Sequence, residues 1–129
     1  MSWGHESDIR AHFATIRPGI EKVIGSNGEP YIPEDVYGAL ITGAADLYLF
    51  YRGDEYAGFG IFRAMQFDFE PKPVLNIWIG YSVDKGCGHY GVEVAHAVKE
   101  AAGLERVVFA SPQMGWTGKF KLITAWYEV

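Results

Sequence analysis

The sequence predicts an α+β domain organised around one mixed sheet, on three observations. Apolar residues recur at helical spacing through the amino-terminal part of the chain. Runs of strand length, rich in aromatic and aliphatic residues, follow with turn signals between them. Near the carboxyl end a strand, a helix and a further strand stand in succession, a step that makes the two strands parallel neighbours. N-terminal helices, antiparallel strands, one βαβ crossover and a C-terminal strand therefore share one sheet. At 129 residues the chain is read as a single domain, residues 1–129, around one core.

From Asp8 the apolar positions Ile9, Phe13, Ile16, Ile20, Val23 and Ile24 fall on one helical face. Pro18 lies inside that pattern and is expected to interrupt it, opening a second short helix. The cluster Ser26-Asn27-Gly28-Glu29-Pro30 ends the helix. A further helix is predicted from Pro33 to Thr42, with Glu34 and Asp35 at its positive end and Val36, Leu40 and Ile41 as its apolar stripe. Asp46 to Tyr51 reads as a buried aromatic strand, and Arg52-Gly53-Asp54-Glu55 as a hairpin turn. Tyr56 to Phe67 is the return strand, in which Gly58 and Gly60 mark a bulge or a close approach. After the polar loop Asp68–Pro73, Val74 to Tyr81 is apolar on both faces around Asn76, as a central strand would be. Tyr90 to Ala102 is helical, with Val94, Ala97, Val98 and Ala101 expected inside and Glu93, His96 and Glu100 outside. Gly103 stops it. Arg106–Ala110 completes the crossover, Ser111–Lys119 is a loop, and Leu122–Val129 is read as one final strand.

Composition excludes several classes of function. The formal charge is −5, from 11 Lys and Arg against 16 Asp and Glu. No overall field draws phosphate backbones to such a surface, so nucleic acid is not an expected partner. Cys87 is the only cysteine, which rules out an intrachain disulfide. The opening residues lack the basic-then-apolar pattern of a leader, and no apolar run approaches the roughly 20 residues that span a bilayer. A cytoplasmic protein with no membrane partner is expected. Aromatic residues make up 16% of the chain, enough to line a groove or an interface as well as to fill strands.

Three segments add to the element order. Tyr31-Ile32-Pro33-Glu34-Asp35-Val36-Tyr37-Gly38-Ala39-Leu40 precedes the short aromatic strand, Ser111-Pro112-Gln113-Met114-Gly115-Trp116 follows the crossover, and Ala125-Trp126-Tyr127-Glu128-Val129 closes the chain. Together they resemble the GCN5-related N-acetyltransferase (GNAT) family, and within it a set of small phage-encoded proteins of that fold. The likeness runs from about Ile9 onward, with the family's first strand and its penultimate helix and strand shortened or missing. The resemblance implies that the strand before the crossover helix splays from its parallel neighbour and that acetyl-CoA lies in the gap, its carbonyl held by backbone N–H groups. It implies a pyrophosphate on a turn of pattern Arg/Gln-x-x-Gly-x-Gly/Ala, at a helix N-terminus where unpaired N–H groups and the dipole favour anions.

Here the turn reads Asp84-Lys85-Gly86-Cys87-Gly88-His89-Tyr90-Gly91. By the resemblance Lys85, Gly86, Gly88 and Gly91 contact the cofactor, together with Ile79 and Tyr81 on the strand. Tyr90 occupies the second small position, and its ring is expected to crowd the phosphates. Asp84 brings a negative charge to the same place.

Direct acyl transfer needs a base for the amine and an acid for the departing thiolate. Glu55 at the hairpin and Asn76 on the central strand are the candidates for the base or its water. Relatives often take the acid from a tyrosine just after the parallel strand. Ser111–Lys119 contains none, which leaves Tyr127 as a substitute. His89 is a candidate proton carrier or phosphate contact, although a turn histidine is more often simply exposed. His96, Glu93 and Glu100 share one helical face, but a single nitrogen ligand is a poor metal site and a solvated face is the simpler reading. Cys87, with no identifiable partner, reads as a spectator thiol.

Two functions of different class follow from the resemblance. One is a non-catalytic component of a phage, structural or virion-associated, that keeps the fold as a scaffold without a cofactor; the altered turn and the missing tyrosine favour it. The other is an acetyl-CoA-dependent N-acyltransferase acting on an amine. A final edge strand apolar on both sides invites pairing with another chain, so Trp3, Trp116 or Trp126 is expected at a contact with a protein partner or a second copy.

Overall fold

The computed structural model describes residues 1–68, 70–84, 88–110, 121–123 and 126–128, the last two segments and residue 88 by their backbone. In chain order the elements are β1 (Ser2–Glu6), α1 (Ile9–Asn27), α2 (Pro33–Thr42), β2 (Asp46–Arg52), β3 (Glu55–Met65), β4 (Val74–Ser82), α3 (Gly88–Ala102), β5 (Val107–Ala110), β6 (Lys121–Ile123) and β7 (Trp126–Glu128). One seven-stranded sheet holds all the strands in the order β1-β2-β3-β4-β5-β7-β6. Every neighbouring pair is antiparallel except β4 and β5. The α+β class, the mixed sheet and the parallel step joined by a helix are those the sequence predicts.

Helices cover both faces of the sheet. On one face α1 and α2 lay Ile16, Ile20, Val36 and Leu40 over Leu47, Leu49, Phe59, Ile61 and Ile79. On the other face α3 lays Val94 and Ala95 over Tyr48, Phe50, Phe62, Leu75 and Val107. The alternation of β2 explains the division, since Leu47 and Leu49 point one way and Tyr48 and Phe50 the other. The inward face of α3 is thus Val94 and Ala95, with Val98 beside them, whereas Ala97 and Ala101 are exposed. The sequence reading had the stripe rotated, because alanines carry little hydrophobic information about direction.

Three further elements differ from expectation. The helix α1 runs unbroken through Pro18. Its ring lies on the exposed side, while Ile9 and Ile16 before it and Ile20 after it are buried. Tertiary burial of one continuous face outweighs the local cost of the missing N–H, about 3 kcal/mol. The helix starts where Asp8 accepts a hydrogen bond from the Ala11 N–H at 3.2 Å, and ends at Gly28, whose φ of 63° only glycine adopts cheaply.

The amino terminus forms a strand that the sequence does not announce: β1 pairs with β2 from Ser2 opposite Tyr51 to Glu6 opposite Leu47. It is an edge strand, exposed along almost its whole length, and so carries no alternation to detect. Finally, the last segment is two strands, not one. Ile123 pairs with Trp126 and Lys121 with Glu128, so the chain reverses between them without a Gly, Asn or Pro to mark it. The outer strand is β6, and β7 lies between it and β5 with both edges paired. The edge strand that motivated association through Trp126 is therefore an interior one.

Contact between α1 and the sheet depends on Gly19. A Cβ there would stand 2.6 Å from the Tyr81 ring and 2.7 Å from Phe59. Gly19→Ala should destabilise by about 1–3 kcal/mol through overpacking. Gly25, in the same helix with nothing within 4 Å of its would-be Cβ, should respond in the opposite sense. Gly25→Ala gains about 0.5–1 kcal/mol of helix propensity. Urea unfolding of the two variants measures both, and equal effects would mean that α1 does not sit this close to Tyr81.

Candidate functional site

The parallel pair β4–β5 is short. Leu75 lies opposite Val107 and Asn76 opposite Val108, and the Leu75 N–H donates to the Arg106 carbonyl at 2.8 Å. There the pairing stops. Downstream, Phe109 and Ala110 pair with Tyr127 and Trp126 of β7. Along β4, Ile77 to Ser82 keep β3 on one side, and among the described residues no strand pairs with them on the other. That leaves a backbone edge of six residues, roughly 20 Å long at a strand's rise.

The strands part at Asn76. Its side chain is 1% exposed. Its Nδ2 donates to the Val108 carbonyl at 3.4 Å, and its Oδ1 accepts from Arg63 Nε at 2.8 Å. A buried amide satisfied at both ends thus ties β3, β4 and β5 together at the last paired position. Immediately beyond it the register between β3 and β4 shifts. Phe62 faces Ile77 and Ile61 faces Ile79, so Trp78 is an extra residue and β4 bulges there. Consecutive side chains, Trp78 and Ile79, consequently both pack on the α1/α2 face, whereas Ile77 packs on the α3 face. The bulge raises the twist of β4 at the point where it leaves β5.

At the open end three pieces of backbone converge. The β2–β3 hairpin and the turn after Ser82 meet there, since Gly58 pairs with Ser82 and the Val83 N–H donates to the Ala57 carbonyl at 2.8 Å, and the first turn of α3 packs on Phe50, which pairs with Gly58. The Asp84 carboxylate accepts from Arg52 Nη1 at 2.9 Å and from Nη2 at 3.5 Å. Both side chains are about half exposed, so the pair adds little stability, but it does offset the acidic charge beside the helix start. The Tyr90 ring turns away from that start. It packs edge-on against Phe50, with centroids 5.5 Å apart and planes at 89°, and burial followed by the nearby Glu93 pushes its hydroxyl pKa up. Each side chain has a partner on β2, a strand remote in sequence from the turn.

The remaining sequence candidates are scattered. Ile79 is 1% exposed and Tyr81 leans on Phe59, but their backbone lies on the unpaired edge. Gly88 and exposed His89 open α3, and Gly91 faces Phe50, where a Cβ would sit 3.7 Å from the ring. Glu55 is exposed at the hairpin. Asn76 lies opposite Arg63, eight residues further along β3, so Glu55 and Asn76 stand roughly 26 Å apart along the strand and cannot serve one reacting atom. The amide of Asn76 is in any case engaged. Lys85, Gly86, Cys87, Trp116 and the side chains of Tyr127 and Trp126 lie outside the described residues. Trp3, 42% exposed, rests on Tyr48 with centroids 5.8 Å apart. Among the described residues no three His, Cys, Asp or Glu side chains gather as a metal site, and no helix is long and apolar enough to cross a membrane.

Sequence reasoning missed a cluster on the α1/α2 face. The Arg63 guanidinium lies over the Trp78 ring at 4.4 Å from its centroid, and Tyr31, in the segment joining α1 to α2, meets Trp78 at 5.4 Å. Burial pushes the Tyr31 hydroxyl up to about 12 and pulls the Arg63 guanidinium down. The cross-strand pairing that brings Arg63 to Asn76 and Trp78 has no local signature in the sequence.

The chain superposes on solved structures over most of its length. A probable acetyltransferase superposes with a TM-score of 0.72 at 13% identity, over 96% of this chain and 92% of that one. A ribosomal-protein-alanine N-acetyltransferase from Brucella melitensis gives 0.66 at 14% identity, over 92% and 84%. A GNAT family acetyltransferase from Staphylococcus aureus gives 0.63 at 16% identity, over 96% of both chains. The chain has the GNAT fold. No family model matches the sequence, and no curated protein does. At these identities the likeness establishes the GNAT architecture, while the chemistry has to be argued from the site.

Two substitutions test the geometry. Asn76→Leu leaves the Val108 carbonyl and Arg63 Nε without their partner in a buried place, at a cost of about 1–3 kcal/mol in unfolding free energy. Tyr90→Ala removes a half-buried ring from Phe50, and should cost about 1–3 kcal/mol without improving the affinity of any anion at the α3 N-terminus. Chemical denaturation and a pyrophosphate titration measure the two. Tighter pyrophosphate binding by Tyr90→Ala would mean that the ring obstructs the turn after all.

Proposed function

We propose that this protein binds acetyl-CoA along the open edge of β4 and transfers the acyl group to an amine. One observation carries the proposal: β4 loses its parallel partner after Asn76, and α3, whose first turn packs on Phe50, follows that unpaired stretch in the chain. Backbone N–H and C=O groups without a ladder partner need hydrogen bonds from elsewhere, and a pantetheine-like chain of amides supplies them in the manner of an added strand. The residues present fit the group. Asp84 is held by Arg52, the Tyr90 ring is packed on Phe50, and the first N–H groups of α3, from Gly88 onward, form the kind of anion site that a pyrophosphate takes.

The cofactor, when bound, supplies an activated acyl group as a thioester. The chain's own part is to orient it. The backbone between Ile77 and Ile79, where the bulge disrupts the ladder, would donate to the thioester oxygen and stabilise the charge that develops there. Ile79 and Tyr81 would line the edge by their backbone, and Lys85, Gly86, Gly88 and Gly91 would hold the phosphates, as the family resemblance implies. GNAT neighbours named as acetyltransferases support the same reading.

A thermal-shift titration with acetyl-CoA tests it. A ligand at about 100 times its Kd adds roughly 2.7 kcal/mol to stability, which raises the melting temperature measurably. Coenzyme A and acetyl-CoA should both shift it, and dephosphorylated pantetheine should shift it less. The non-catalytic assembly role keeps the fold and expects no shift at saturating cofactor; that outcome would replace the acyltransferase reading.

A further inference from the structure

The Arg63 guanidinium is half-buried on the α1/α2 face and, among the described residues, has no anion to match it. Arg17, Arg52 and Arg106 each hold a carboxylate, from Glu21 and Glu34, Asp84 and Glu70 respectively. Among the described residues no carboxylate reaches Arg63, although the chain carries 16 of them. A partly buried cation without a counter-charge carries a desolvation cost, and this one is also held stiffly. Its Nε donates to Asn76 Oδ1 at 2.8 Å, and its plane lies over Trp78 at 4.4 Å from the ring centroid. Those two contacts fix the direction of the guanidinium plane. They occupy one of its five N–H donors and one of its faces, and leave the two terminal nitrogens without a hydrogen bond to any described residue.

Two parallel N–H groups on an oriented, half-buried fork match the two oxygens of a carboxylate. Trp78 is the bulge residue of β4, so the fork sits next to the strand segment that the acyltransferase reading assigns to the thioester. Tyr31, on the α1–α2 connection, meets the Trp78 ring at 5.4 Å between centroids. We infer that Arg63 is a specificity-determining residue that takes the carboxylate of the acyl acceptor, so that the acceptor is an amine carrying a carboxylate, of the amino-acid class. The inference rests on the acyltransferase reading for the word acceptor; the carboxylate site itself stands on Arg63, Asn76 and Trp78.

The test uses the full chain without cofactor. The Arg63 Nε–H resonance, assigned by its loss in Arg63→Gln, is followed while free L-amino acids are added one at a time, and again with the matching amino-acid amides. At least one amino acid should shift it and bind roughly ten- to a hundredfold more tightly than its amide. Arg63→Lys, which keeps the charge without the fork, should lose most of that preference, and it serves if Arg63→Gln fails to fold. Equal binding of acids and amides, or no shift with any amino acid, overturns the inference even where acetyl-CoA binds. If amino acids bind through Arg63 while acetyl-CoA leaves the melting temperature unchanged, the carboxylate site stands and the acyltransferase reading falls. Release of coenzyme A thiol on mixing acetyl-CoA with the preferred amino acid, and not with its amide, joins the two.

Discussion

A strand in the middle of a sheet normally gives up both of its edges to neighbours, and β4 gives up only one beyond Asn76. Everything around it is arranged so that this is tolerable. Upstream, Val74 and Leu75 are buried on opposite faces and Leu75 is paired on both sides, so β4 is anchored as a central strand. Downstream, α1 presses on one face through Gly19 and Tyr81. The α3 side is filled by Ile77 with Phe50 and Val94. The backbone of β4 is therefore held by packing on its faces after it has lost hydrogen bonding on its edge. A parallel ladder continued to Ser82 would satisfy more backbone groups, but it would leave no edge for a ligand to take.

The Asn76 amide sets where that trade is made. An apolar side chain at this position would leave the two strands to diverge or to zip according to twist alone. An amide bonded to the Val108 carbonyl on one side and to Arg63 on the other fixes the last contact at a single residue. The bulge at Trp78 then follows at once, and a bulge increases local right-handed twist. Clamp and bulge act in sequence along the chain, the first ending the pairing and the second turning β4 out of the path of β5.

How much of this is legible in the sequence depends on whether the deciding contact is local. Pro33 at the head of α2, the Gly53 turn and the helical period of Val94 and Val98 are local, and the elements they mark are where the sequence puts them. Pro18 is a strong local signal that loses to burial of Ile16 and Ile20 on either side of it. The strand β1 exists only through its partner β2, and an exposed edge strand needs no pattern of its own. The same holds for the site. The turn from Asp84 to Gly91 is recognisable, but the fate of Asp84 and Tyr90 is decided by Arg52 and Phe50 on a remote strand. Arg63, Asn76 and Trp78 carry no motif at all, because the pairing of β3 with β4 is what brings Arg63 to Asn76 and Trp78.

The register shift between β3 and β4 links the two halves of the site. Trp78 follows Asn76 on the α1/α2 face by the ordinary alternation of β4, which sets its ring beside Arg63, and the extra residue keeps Ile79 on that face as well. With it, the ring that supports the guanidinium belongs to the same bulge that frees the backbone of β4 toward the gap. Asn76 serves both sides as well, since one end of its amide closes the strand pair and the other orients Arg63. A change that relaxed the clamp would thus be felt at the gap and at the guanidinium together, although they lie on different sides of the strand. The unpaired edge of β4 and the orientation of Arg63 are coupled through a single buried amide, which a short, seven-stranded sheet achieves without a dedicated loop.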